Sequence, residues 1–177
     1  FRLLADVDGI PPGAITMISE TGSDVSKLLV DSPEVDVISY TGSTHVGKLI
    51  MAAGAPTLKR MNLELGGSAP CVVFGDANLD ETVAGITRAA MAHTGQVCVA
   101  ASRVIAEQSI AAELESKLAE RLGNLQLGVA DSADSQLGPL IDTASRDRIA
   151  GLVAASKDVG EVVLEGSAPN GDLGNGS

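Results

Sequence analysis

The feature that most constrains this chain is a change of apolar period at Thr41-Gly42-Ser43. The run Val35-Asp36-Val37-Ile38-Ser39-Tyr40 alternates as an extended segment should, and beyond the turn the apolar positions become Val46, Leu49, Ile50 and Ala53, which share one face of a helix. The same switch recurs downstream. Cys71-Val72-Val73-Phe74 reads as a short strand, Asp76-Ala77-Asn78 offers capping chemistry, and Leu79, Val83, Ile86 and Ala90 then recur every three or four residues. Arg103 to Ala106 reads as extended again, and Ile110, Leu114, Leu118 and Leu122 mark a further helix closed by Gly123. Strands separated by helical segments of this length imply an α/β fold with mostly parallel strands, because a parallel neighbour is reached only through a crossover. Shorter expectations complete the reading: a strand over Ala14 to Ile18, a short helix ending over Lys27 to Val30, an extended return over Leu58 to Leu65, and a helix carrying Ile149, Leu152 and Val153.

The ends read as cuts within a larger fold. Phe1, Leu3, Leu4 and Val7 resemble the end of an amphipathic helix before the turn Gly9-Ile10-Pro11-Pro12-Gly13, while residues 166–177 supply turn formers and little to bury. With 177 residues the chain is long enough for a sizeable core. Its net charge of −11 argues against nucleic acid or an anionic membrane as partner. No apolar run approaches a membrane span, and Asp6 and Asp8 do not suit a signal peptide, so a soluble, cytoplasmic protein is expected. Cys71 and Cys98 are too few for a disulfide framework, and with His45 and His93 they lack the short paired spacing of a metal site.

Three stretches carry candidate chemistry. The strand-to-helix turn at Gly42 places backbone N–H groups and the positive end of a helix together, as phosphate binding requires. On this segment alone an ordinary strand-to-helix turn, common in α/β proteins, is the favoured explanation. Gly42-Ser43-Thr44-His45-Val46-Gly47-Lys48-Leu49 is not Gly-x-Gly-x-x-Gly, and Leu49 stands where a P-loop needs a hydroxyl for Mg²⁺. Cys98 follows a helix-breaking Gly95 and polar Gln96, which suits an accessible thiol; Cys71, within an apolar strand, suits a small buried hydrophobe. Glu64 sits between Leu63 and Leu65, where a carboxylate is costly unless paired or functional, or else points to solvent from an alternating strand. A nucleophile and a base of this kind suit a thioester that forms and is then hydrolysed. His93 is read as a surface residue rather than a partner for Cys98, Arg103 as structural, and Asp131 and Asp134 as part of a solvated loop.

Taken in order, Tyr40-Thr41-Gly42-Ser43, Leu63-Glu64-Leu65-Gly66-Gly67, Gly95-Gln96-Val97-Cys98 and Leu137-Gly138-Pro139-Leu140 resemble the signature blocks of the NAD(P)-dependent aldehyde dehydrogenase superfamily. The resemblance covers nearly the whole chain. It implies an aldehyde dehydrogenase-like α/β fold, with residues 1–63 the C-terminal part of a Rossmann-type NAD(P)-binding domain and 64–177 the N-terminal part of an α/β catalytic domain. It also implies that Gly42, Ser43 and Gly47 lie beside the cofactor pyrophosphate, that Leu65 and Gly66 contact the cofactor, that Cys98 is the nucleophile, and that Glu64 is the deacylating base. The implied reaction oxidises an aldehyde to a carboxylic acid with NAD or NADP in a homo-dimer or homo-tetramer. Ser68 departs from the lysine that the family often carries there, a position where several branches have small residues. The upstream oxyanion-hole asparagine and ribose-binding lysine, and the downstream second cofactor-binding glutamate and oligomerisation strand, are expected outside this stretch. Three alternatives stand beside this reading: a coenzyme A-acylating dehydrogenase, which Glu64 disfavours; a P-loop-like nucleotide-binding module, which Leu49 disfavours; and a catalytically inactive fragment.

Overall fold

The computed structural model describes residue 7, residues 9–129, residues 131–167 and residue 169. The N-terminal helical expectation, apart from Val7, and most of the polar tail lie outside the described residues. The chain divides into two compact units, Phe1–Leu65 and Gly66–Ser177.

The first unit is built on one parallel strand pair. Helix α1, Asp24–Asp31, precedes strand β1, Val37–Gly42; helix α2, Thr44–Gly54, and a 3-10 turn over Ala55–Thr57 then return the chain to strand β2, Arg60–Leu65. The two strands run side by side in register from Val37↔Arg60 to Gly42↔Leu65. Both alternate, with Ile38 and Tyr40 in one and Met61, Leu63 and Leu65 in the other half-buried and their neighbours exposed. Glu20 caps α1 from a distance, its carboxylate accepting from the Val25 and Ser26 amides, each at 3.0 Å, and from Ser26 Oγ at 2.6 Å. The hydroxyl bond first, and then the amide bonds, hold the Glu20 carboxyl below the usual range. Just beyond the C-terminus of α1 the Lys59 ammonium donates to the carbonyls of Ser32 and Val35, tying the turn before β1 to the start of β2.

The second unit repeats the plan with a better packed interior. Strand β3, Pro70–Val73, leads through helix α3, Leu79–Met91, to the parallel strand β4, Arg103–Ala106, paired from Pro70↔Arg103 to Val73↔Ala106. Helix α4, Ala111–Gly123, packs on α3, and helix α5, Thr143–Ser156, follows a loop in which Leu127 bridges Leu137. Asn78 caps α3 by accepting from the Asp80 and Glu81 amides at 3.1 and 3.3 Å. Asp80 and Glu81 in its first turn and Arg88 in its last match the helix dipole. Val73, Val83, Ile86 and Leu114 form the core, with Leu114 only 1% exposed.

Two local expectations differ from the structure. Residues 14–18 form bends followed by irregular backbone instead of a strand, and all are exposed. A strand needs a neighbour to satisfy its amides, and no ladder partner for this segment exists among the described residues. The helix before Cys98 ends at Met91, four residues earlier than its glycine suggested, and the chain turns left-handed over His93, Thr94 and Gly95, with φ of 47°, 59° and 76°.

Candidate functional site

The phosphate-binding candidates gather at the carboxyl end of the β1–β2 pair. Gly42 is the last residue of β1 and stands opposite Leu65, the last of β2. Ser43 is the N-cap of α2, its Oγ accepting from the Val46 amide at 3.3 Å. Gly47, one turn into α2, is buried against the Leu65 side chain: a Cβ there would lie 2.8 Å from Leu65 Cδ2, so glycine is what lets helix and strand approach. The first turn of α2 contains no acidic residue, and Gly42 and Ser43 are exposed. An anion can therefore meet the open amides of this helix end without charge repulsion, which fits a dinucleotide pyrophosphate. Gly66, the next residue after Leu65, is exposed and begins the second unit.

Glu64 occupies the exposed face of β2 with Arg60 and Asn62, opposite Thr41 in register. Of its two sequence explanations, the geometry of this strand supplies the outward-pointing one, and an outward carboxylate is free to meet water. Glu64 belongs to the first unit and Cys98 to the second.

Cys98 is exposed with a free thiol, whereas Cys71 is half-buried within β3, matching the contrast drawn from sequence. Its loop is fixed from both sides. Downstream, Ala100 is buried, its amide donates to Val97 O at 3.0 Å, and the Ala101 amide reaches Ala89 O of α3 at 3.4 Å. Upstream, the Gln96 side chain donates to His93 O at 3.0 Å and accepts from the Ile141 amide at 2.9 Å, while Thr94 Oγ1 donates to Gly138 O at 3.3 Å. Gly67 lies against the backbone of Cys98, where an added Cβ would stand 3.2 Å from Cys98 O. A thiol on a loop held in this way can attack a carbonyl carbon from a fixed direction. His93 is exposed, as is Arg103 at the start of β4.

Gly67, Thr94 and Gln96 enter the site only through the structure. Gln96 was legible in sequence as a polar loop residue but its two partners were not. Thr94 carried no signal at all, since a β-branched residue disfavours the left-handed region it occupies.

Comparison with known proteins identifies the relatives of this chain. The aldehyde dehydrogenase family model matches residues 1–177. Succinate-semialdehyde dehydrogenase of Paenarthrobacter nicotinovorans is 40% identical over 162 residues, covering 91% of this chain and 36% of that protein. Cytosolic aldehyde dehydrogenase 1 of Mus musculus is 39% identical over 167 residues, covering 94% of this chain and 33% of that protein. Betaine aldehyde dehydrogenase of Staphylococcus aureus, solved in complex with NAD+, superposes with a TM-score of 0.87 at 34% identity, covering 94% of this chain and 33% of that one. The chain thus spans about a third of the length of the curated relatives it matches. The family model matches the chain from end to end, and the chain belongs to the aldehyde dehydrogenase family.

Proposed function

We propose that this chain is the central part of a subunit that oxidises an aldehyde to a carboxylic acid with NAD or NADP. Residues 1–63 would complete the cofactor domain and residues 64–177 begin the catalytic one. The observation that carries the reading is Cys98: a free, exposed thiol on a loop anchored on both sides, with Gly67 against its carbonyl. Relatives named as aldehyde dehydrogenases, and neighbours solved with NAD+, support the reaction and the cofactor. The parent enzyme is read as a cytoplasmic homo-dimer or homo-tetramer; relatives include both a cytosolic and a mitochondrial protein. No helix among the described residues is long and apolar enough to cross a membrane.

In this reading Gly42 and Ser43 hold the cofactor pyrophosphate at the N-terminus of α2, and Leu65 and Gly66 contact the cofactor; Gly47, expected from sequence as a further pyrophosphate contact, is buried with its amide bonded to Ser43 O and instead lets α2 approach Leu65. The Cys98 thiolate adds to the aldehyde carbon, giving a thiohemiacetal whose oxyanion accepts from the Cys98 backbone N–H. The bound cofactor supplies the hydride acceptor. Loss of hydride leaves a thioester on Cys98; Glu64 then takes a proton from water, whose oxygen attacks the thioester carbon, and the thiolate departs as the acid is released.

The test supplies the subunit carrying this chain with NAD and a panel of aldehydes and follows NADH. Cys98→Ser is expected to lower kcat on the order of a thousandfold or more. Glu64→Gln is expected to keep one stoichiometric burst of NADH and lose steady turnover. Full activity in Cys98→Ser would sink the reading.

A further inference from the structure

We propose that Gln96 is a positioning residue that ties the cysteine loop to the segment Gly138–Ile141 and thereby sets where Cys98 presents its thiol. The inference rests on the dehydrogenase reading for its kinetic consequence, but not for its geometry.

The backbone before Cys98 is strained. His93 and Thr94 are consecutive non-glycine residues with positive φ, followed by Gly95 at 76°. A left-handed conformation is disfavoured for any residue with a Cβ, and for a β-branched one it is a genuine outlier. Such a turn persists only where surrounding bonds over-determine it. The bonds that do so converge on one carboxamide and one hydroxyl. Gln96 Nε2 and the Gln96 amide both donate to His93 O, at 3.0 and 3.1 Å, closing the turn on itself. Gln96 Oε1 meanwhile accepts from the amide of Ile141, 45 positions away, and Thr94 Oγ1 donates to Gly138 O. The far end of the link is itself fixed, because Asp142, the next residue, caps α5 through the Ser145 amide at 2.7 Å. Cys98 follows Gln96 by two residues, so a change in the turn moves the thiol and its backbone N–H together. The family-like stretch Leu137-Gly138-Pro139-Leu140 acquires a purpose from this link: it is the abutment on which the nucleophile loop rests.

The test uses the subunit carrying this chain, with Gln96→Met, which keeps length and removes both bonds, Gln96→Glu, which keeps the acceptor for Ile141, and the pair Thr94→Val and Thr94→Ser. Hydrogen exchange of the Ile141 amide reads the link directly and is expected to quicken in Gln96→Met and stay near wild type in Gln96→Glu. For Gln96→Met, kcat is expected to fall about tenfold to a hundredfold with the KM for NAD within about twofold of wild type, the split that misplacement of a reacting group produces. Thr94→Val should show the smaller loss in the same direction, and Thr94→Ser should recover it. Alkylation of Cys98 by iodoacetamide, followed on its own peptide by mass spectrometry, is expected to shift by about threefold or more in Gln96→Met, since thiol reactivity follows its microenvironment. Faster Ile141 exchange with unchanged kcat and unchanged alkylation would overturn the proposal, as would Ile141 exchange that Gln96→Met leaves unaltered. If the wild type releases no NADH with any aldehyde, the dehydrogenase reading fails, and the alkylation rate alone then decides for or against the positioning role.

Discussion

At the scale of single residues, the second unit carries a polar group that works against its own core. Thr87 lies on α3 beside Val83 and Ile86, is 5% exposed, and its Oγ1 has no hydrogen-bond partner among the described residues. An unpaired buried hydroxyl has given up water for nothing in return, a penalty of roughly 1–3 kcal/mol. Thr87→Val keeps the branched shape and removes the oxygen, so it is expected to raise stability by about 1 kcal/mol, seen as a higher denaturant midpoint with an unchanged slope. Unchanged or lower stability would mean that the hydroxyl is satisfied. Nothing in the sequence marks this threonine apart from its neighbours; only tertiary packing turns it into a buried position.

At the scale of elements, the two capped helices of the second unit respond differently to acid. Asp142 caps α5, and the Ser145 amide bond, with its serine side chain next, lowers the carboxyl's pKa. The folded state binds that proton less readily than the unfolded chain. The cap's contribution is therefore complete above the ordinary carboxylate range and is lost as pH falls through the lowered folded value. Asn78 does the same work for α3 without titrating. Asn78→Ala is thus expected to cost about 1 kcal/mol at neutral and acidic pH alike. Asp142→Asn, compared with wild type by hydrogen exchange of the α5 amides, should differ near neutrality and converge in acid. A difference that persists once the folded carboxyl has itself been protonated would show that the charge is not what caps α5. Asn78 was readable in advance from its place before an apolar periodic run, whereas Asp142 was not singled out, because the helix it starts shows weak patterning and leaves Leu152 and Val153 largely exposed.

At the scale of the whole molecule, each compact unit contains one parallel strand pair closed by a helical crossover, and the second rests on a small core. Leu114 brings α4 onto α3 and is the most deeply buried of these side chains. Leu114→Ala removes its contacts and leaves a cavity, with an expected loss of about 3 kcal/mol measured by denaturant unfolding. A loss below about 1 kcal/mol would mean that the site collapses freely or that the core is not cooperative. The α/β alternation, the crossover lengths, most strand and helix positions, and the order of the glycine, glutamate and cysteine motifs are legible along the chain, because period, caps and turn formers act over a few residues. The sequence could not determine that residues 14–18 stay irregular, that the helix before Cys98 stops at Met91, or that Thr94 and Gln96 fasten the cysteine loop to residues 138–141. Those were decided by tertiary structure, because a strand needs a partner, and a left-handed turn needs outside bonds, which are supplied by residues distant in sequence.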